Sequence, residues 1–239
     1  MVKLFLLDLG FPHPGRRSIA FTETLASLAL GGGDLVAAPL AAYSDCACGY
    51  QSLRRTYRAE RVRFSEHSSV NVMSELHSTH LVLREFRDSD VDPLYEIQGN
   101  PDYMRFTFCA ESRAACESWL RRFADAGRVN GFAPWTIVHR SDNRVIGWGG
   151  LSIDPNAPEW GTEVSYFIHP AYQGRGFATE LVQSSLRHGF DDLGLRQIAA
   201  FAMPENRASA RVLEKCGFKF LRYERILRRN HYALRVEDW

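Results

Sequence analysis

A strand that runs through two glycines directly into a helix is the feature that most constrains how this chain folds. The segment reads SYFIHPAYQGRGFATE over residues 165–180. Gly174 and Gly176 permit backbone angles and a close approach that a side chain would block. The N–H groups of the loop and first helical turn, with the positive end of the helix dipole, suit a pyrophosphate. The segment therefore predicts an anion cradle, although an ordinary tight turn before a helix carries the same signal.

Two other phosphate motifs do not fit this segment. It lacks the Gly-Lys-Ser/Thr ending of a nucleoside triphosphate loop. It also lacks the Gly-x-Gly-x-x-Gly opening that is followed by a ribose-binding acid in dinucleotide-binding proteins. Sites for nucleoside triphosphates and for dinucleotides are therefore disfavoured.

Strands and helices alternate along the rest of the chain from about residue 78. We predict strands at 81–86, 132–139, 144–153, 162–168, 198–202, 219–223 and 231–236. Predicted helices begin at the capping run Asp88-Ser89-Asp90, at Ser112, at Gly176 and at Asn206, the last closed by Gly217. This order is typical of an α/β protein with a mixed sheet and helices on both faces.

Residues 1–72 differ from the remainder. They show weak periodicity and include a run of five arginines between positions 54 and 63 that is opposed by Glu60 alone. Such a run could contact RNA, but a solvated helix face or a disordered linker is the favoured interpretation. We expect a poorly ordered N-terminal extension of unknown role over 1–72 and one compact domain over 78–239.

Charge and cysteine content argue against several classes of protein. The formal net charge of +1 gives no overall field for a polyanion or a membrane surface, so no specific nucleic acid and no membrane partner is expected. The five cysteines are odd in number and scattered, and neither they nor the histidines have metal-ligand spacing. Asp8 interrupts the first apolar run too early for a signal sequence. We expect a cytoplasmic protein without a metal, either a monomer or a homodimer.

Several motifs together resemble those of one family. The sequence QGRGFA at 173–178 resembles the Q/R-x-x-G-x-G/A signature of the GNAT superfamily of acyltransferases. The sequence NRAS at 206–209, its helix and the following Gly217-Phe218 resemble the family's second motif. The sequences EVSY at 163–166 and VIGWGGL at 145–151 resemble the RimJ/RimL-like branch, which acetylates ribosomal-protein N-termini. The resemblance extends over about 78–239.

This resemblance implies a GNAT-type fold, with a mixed, mostly antiparallel central sheet flanked by helices on both faces. It also implies an N-acetyltransferase whose co-substrate is acetyl-CoA. The strand backbone would align the pantetheine arm, and the amides from Gly174 to Thr179 would hold the pyrophosphate. The cofactor-binding residues that the resemblance implies are Phe167, Ile168, His169, Gln173, Gly174, Arg175, Gly176, Phe177, Ala178, Thr179 and Asn206.

The resemblance also implies two catalytic residues. Glu163 would accept the proton of the attacking amine, directly or through water. Ser209 would lie near the departing sulfur, while Asn206 caps its helix, contacts the cofactor, or does both. Many members of the family carry a tyrosine where this chain has Leu213. Ser209 or water would then take the place of that general acid.

The resemblance implies that the acceptor is a primary amine, and a protein N-terminus such as that of a ribosomal protein is the leading prediction. An α-amine has a pKa of about 7.7–8.0 and a lysine amine about 10.4, so the former needs less help from a base. The predicted acceptor loops, 100–112 and 224–231, carry Arg105, Arg225, Arg228 and Arg229, which disfavours polycations. The alternatives are a small amine (polyamine, amino acid or antibiotic) and a non-catalytic acyl-CoA-binding sensor.

Overall fold

The computed structural model describes residues 75–239. The predictions made for residues 1–72, including the arginine run, lie outside this range. The strands are β1 (Leu76–His77), β2 (Leu81–Arg84), β3 (Trp135–His139), β4 (Arg144–Ile153), β5 (Thr162–Ile168), β6 (Gln197–Ala202), β7 (Lys219–Glu224) and β8 (Arg229–Arg235). The helices are α1 (Val91–Gln98), α2 (Arg113–Asn130), α3 (Phe177–Arg187) and α4 (Arg207–Lys215). Across 75–239, none of these helices combines the length and apolar character needed to cross a bilayer.

All eight strands belong to one sheet in the order β1-β2-β3-β4-β5-β6-β8-β7. Every neighbouring pair is antiparallel except β5 and β6, which run parallel. The predicted mixed and mostly antiparallel sheet is therefore confirmed. The two-residue strand β1 is an addition that the sequence pattern does not indicate.

Side chains of β5 point alternately to the two faces of the sheet, as the period of a strand requires. Phe167 packs with residues of α1 and α2, and its ring stacks on Trp148 at 6.0 Å between centroids. Val164 and Ile168 pack on the opposite face, in clusters that include residues of α3. Helices thus cover both faces, and β5 contributes to the core on each side.

Local sequence signals set the ends of two helices as predicted. Ser112 caps α2 by accepting a hydrogen bond from the N–H of Ala115 at 3.1 Å, and Asn206 caps α4 through the N–H of Ser209 at 3.1 Å. Gly217 follows α4 with a positive φ of 90°, a conformation that favours glycine at this position.

The predicted cap of α1 is wrong in one respect. Asp90 stands at the N-cap of α1, but its side chain makes no capping bond there. Its carboxylate instead accepts two hydrogen bonds from Arg84 at 2.7 and 2.8 Å and one from Thr136 Oγ1 at 2.9 Å. It also accepts the N–H of Arg87 at 2.9 Å, which caps the short 3-10 turn Asp88–Asp90 that precedes α1. Burial opposes ionisation of Asp90, but the bonds from Arg84, the Arg87 N–H and Thr136 lower its pKa. The carboxylate therefore joins β2 and β3 to the start of α1.

We predict that Asp90→Asn destabilises the fold by roughly 3 kcal/mol, because it leaves a mostly buried guanidinium without its charged partner. The Arg84 and Asp90 side chains are 13% and 2% exposed. Urea unfolding at neutral pH measures the change. The matched control is Asp92→Asn, which removes an exposed pairing with Arg113 and should leave the free energy of unfolding nearly unchanged. Equal losses in the two variants would contradict the role given to Asp90.

Candidate active site

The sheet opens between β5 and β6. Their parallel contact contains a single register pair, Glu163 with Ala199. On its other edge β5 stays paired with β4 from Thr162 to Ile168. The second half of β5 therefore has one paired edge and one edge that β6 does not pair.

Main-chain groups of β5 alternate between these two edges. The N–H of His169 donates to the carbonyl of Ile146 at 2.7 Å, and the carbonyl of Phe167 also faces β4. Alternation then turns the main-chain groups of Tyr166 and Ile168 toward the opening. Of the three residues expected to present backbone groups to a cofactor, only Ile168 faces the opening, because Phe167 and the N–H of His169 face β4. The main-chain groups of Tyr166, which the sequence analysis did not include, also face the opening.

The loop after β5 forms the predicted cradle geometry. Gly174 and Gly176 have positive φ values of 73° and 88°, and Gly176 is the N-cap of α3. A Cβ added at either glycine would meet no atom of the described chain within 4 Å, so the space above the loop is open. No side chain within 75–239 caps α3, and the amides of its first turn, from Phe177 to Thr179, lack the partners that later turns have.

Two side chains predicted to bind the cofactor, Gln173 and Arg175, lie at the cradle. Gln173 donates from Nε2 to the carbonyl of Ile168 at 2.8 Å, which ties the loop to the open edge of β5. The Arg175 guanidinium lies 4.9 Å from the centroid of the Phe177 ring. The residues present therefore fit a diphosphate: open space, left-handed glycines, unsatisfied amides and one cation.

Glu163 lies where the sheet opens and shares the sheet face of Phe167. Burial and the nearby charge of Asp154 raise its pKa to about 7, while the positive charge of Arg229 opposes the rise. Its register partner Ser152 is buried, with an Oγ that has no hydrogen-bond partner in the described chain. A carboxyl group that changes charge near neutral pH thus borders the opening.

Arg229 connects the two predicted acceptor loops. Its Nη1 donates to the carbonyl of Phe106 at 3.2 Å, between β8 and the loop that follows α1. Burial lowers the pKa of the guanidinium, and the charge of Glu163 partly restores it. The other three predicted arginines, Arg105, Arg225 and Arg228, are exposed.

Tyr166 contacts the predicted catalytic residue Ser209 on the opposite face of the sheet. Its hydroxyl donates to Ser209 Oγ at 3.4 Å, and burial raises its pKa to about 12. Asn206 orients the same serine by accepting its N–H. Leu213, at the position of the family's tyrosine, is buried in the core. Sequence reasoning missed Tyr166, although its two-residue spacing from Val164 and Ile168 places it on this face.

Comparison with known proteins identifies one domain in this region. The sequence pattern of the family described as "Acetyltransferase (GNAT) domain" matches residues 80–219. Uncharacterized N-acetyltransferase YnaD of Bacillus subtilis is 26% identical over 139 residues, which are 58% of this chain and 79% of the relative. The family pattern, at residues 80–219, includes β5, the cradle and α4.

A further relative and a solved structure have names that give different acceptors. A spermidine N(1)-acetyltransferase of Vibrio cholerae is 26% identical over 143 residues, 59% of this chain and 80% of the relative. The crystal structure of a ribosomal-protein-S5-alanine acetyltransferase from Vibrio fischeri superposes with a TM-score of 0.57 at 18% identity. That superposition covers 70% of this chain and 98% of the other, and at this identity it shows a shared fold.

We predict that Gly176→Ala weakens binding of coenzyme A by roughly tenfold or more while costing only about 1 kcal/mol of stability. The added methyl group would enter the open space of the cradle, where no atom of the described chain lies within 4 Å. Calorimetric titration and urea unfolding separate the two effects.

Gly194→Ala is the matched control, because Gly194 also has a positive φ, 63°, and open space around it, but lies outside the cradle. It should lose similar stability and keep its affinity for coenzyme A. An unchanged affinity in Gly176→Ala would remove this loop from the binding site.

Proposed function

The chain belongs to the GNAT family of N-acetyltransferases, which use acetyl-CoA, and we propose that its acceptor is the α-amine of a protein N-terminus. The proposal places the chain in the RimJ/RimL-like branch and assigns the activity to residues 78–239. The observation that carries it is the position and protonation of Glu163, whose pKa of about 7 is matched to an amine of similar pKa.

Bound acetyl-CoA would supply an activated acetyl thioester. The amides from Gly174 to Thr179 would hold the diphosphate at the positive end of α3. The N–H of Ile168 and the main-chain groups of Tyr166 would pair with the pantetheine amides along the open edge of β5. An N–H on the same edge is also a donor for a carbonyl oxygen that gains negative charge.

Glu163 would act as the general base. Its carboxylate would take a proton from the amine as nitrogen forms its bond to carbon, directly or through a water molecule. Arg229 supports this role, because its charge lowers the pKa of Glu163 and so keeps part of the population ionised near neutral pH. Ser152 offers a hydroxyl beside the base where a bridging water could bind.

The charges around Glu163 favour an α-amine over a polyamine. An α-amine has a pKa of about 7.7–8.0, so its proton passes to a base whose pKa, near 7, differs only slightly from its own. A polyamine keeps further ammonium groups, and Arg229 beside the base would repel them. These two points support a peptide acceptor although one relative is named for spermidine.

Direct transfer without a protein nucleophile fits the cysteines of the described chain. Burial raises the pKa of Cys116 to about 11 and also raises those of Cys109 and Cys216. The reactive thiolate form is therefore disfavoured in all three cysteines of the described chain. Ser209 and the Tyr166 hydroxyl that contacts it are the groups we assign to the side of the departing sulfur.

A panel of acceptors tests the proposal. The panel contains peptides with free N-termini, the same peptides N-acetylated, spermidine, free amino acids and an aminoglycoside, with release of coenzyme A thiol as the signal. We expect turnover of free peptides and none of acetylated ones. A higher kcat/KM for spermidine than for every peptide would overturn the acceptor assignment. Binding of coenzyme A without turnover on any acceptor would indicate the sensor instead.

Glu163→Gln should lower kcat/KM at pH 7 by about 10²-fold or more, the usual contribution of a general base. The base is active when ionised, so wild-type kcat/KM should fall as the pH drops below about 7, beyond the fall due to the acceptor amine. The variant should lose that additional fall. Rates between pH 6 and pH 9 measure both effects.

Glu159→Gln is the matched control, since this exposed glutamate lies four residues before Glu163. It should retain the wild-type rate and pH profile. An unchanged kcat/KM at and below neutral pH in Glu163→Gln would exclude Glu163 from the mechanism.

A further inference from the structure

The cradle loop is fastened to a turn that lies far from it in sequence. Tyr172, two residues before Gly174, donates its hydroxyl to Asp142 Oδ2 at 2.7 Å. Asp142 belongs to the turn between β3 and β4, 30 residues away along the chain. Its other oxygen, Oδ1, lies 2.9 Å from Nδ1 of the buried His139. One carboxylate thus holds the loop against the end of β3.

The contact between the Tyr172 hydroxyl and Asp142 is a charge-assisted hydrogen bond, and other groups hold the accepting carboxylate in place. The bond from Tyr172, the contact with His139 and the N–H of Arg144 together lower the pKa of Asp142 to about 2. The same bond raises the pKa of the Tyr172 phenol. At neutral pH the donor therefore keeps its proton and the acceptor keeps its charge, the combination that makes such bonds short and strong.

The ring of Tyr172 in turn positions the cation of the cradle. The Arg175 guanidinium lies 5.6 Å from the centroid of the Tyr172 ring and 4.9 Å from that of Phe177. The His139 ring packs against the same two rings at 5.3 and 5.1 Å. Tyr172 therefore has its hydroxyl fixed by Asp142 and its ring packed between His139 and Arg175.

We propose that Asp142 and Tyr172 are positioning residues that hold the cradle loop and Arg175 in the geometry that binds a diphosphate. The proposal rests on the assignment of the cradle to the cofactor made above. It predicts that the two residues act on ligands that carry the diphosphate and leave ligands that lack it unaffected. They contribute to the affinity for coenzyme A by ordering the loop before the ligand arrives.

Two kinds of ligand, one with the diphosphate and one without it, test this prediction. Coenzyme A and acetyl-CoA carry the diphosphate, and acetyl-pantetheine has the thioester arm of acetyl-CoA without it. Tyr172→Phe keeps the ring and removes only the hydroxyl, so it should raise the Kd of coenzyme A, measured by calorimetry, roughly tenfold, in the range expected for a hydrogen bond to a charged group. Its kcat/KM with acetyl-pantetheine should stay at the wild-type value.

Asp142→Ala and the double variant extend the test. Because both single changes remove the hydrogen bond between Tyr172 and Asp142, the double variant should bind coenzyme A no more weakly than Asp142→Ala alone. Tyr223→Phe is the matched control, since Tyr223 is exposed on the edge strand β7, and it should change neither ligand. Thermal unfolding of every variant checks that the chain remains folded.

Three outcomes would overturn the proposal: no change in the Kd of coenzyme A, an equal loss for both ligands, or additive losses in the double variant. A wild-type protein that uses acetyl-pantetheine as well as acetyl-CoA would overturn the cradle assignment itself. That last result differs from the other three because it involves no variant, so failure of the positioning proposal and failure of the cradle can be told apart.

Discussion

The end of pairing between β5 and β6 is the constraint on which the remaining features of the site depend. A parallel contact with a single register pair leaves main-chain donors and acceptors on one edge of β5 unpaired by the sheet. Such groups normally need partners, and an exposed strand edge readily accepts another extended chain. The opening therefore suits a ligand with its own amides, and it begins beside Glu163.

Alternation along β5 places the residues of the proposed mechanism on opposite faces of the sheet. Glu163 points to the face covered by α1 and α2, near Arg229 and the loop after α1. Tyr166 points to the opposite face, where its hydroxyl contacts Ser209 on α4. In the mechanism proposed, the proton leaves the amine on one side of the sheet and the sulfur departs on the other. The acetyl group would lie between them, in the opening itself.

Features that depend on local backbone chemistry were predictable from the sequence. The glycines of the cradle and the caps at Ser112 and Asn206 depend on residues within a few positions. The remaining features arise from contacts that join distant segments. Asp90 resembles a cap in sequence but bonds Thr136, 46 residues away, and Tyr166 meets Ser209 across 43 residues. The raised pKa of Glu163 depends on burial, which no local pattern specifies.

A crystal structure of the protein with bound coenzyme A tests the central claim most directly. The account predicts the diphosphate against the amides between Gly174 and Thr179, with the pantetheine arm paired to Ile168 and Tyr166 along β5. It also predicts the thiol in the opening between β5 and β6, with Glu163 on one side and Ser209 on the other. Coenzyme A bound elsewhere, or β6 fully paired with β5 along the strand, would contradict the account.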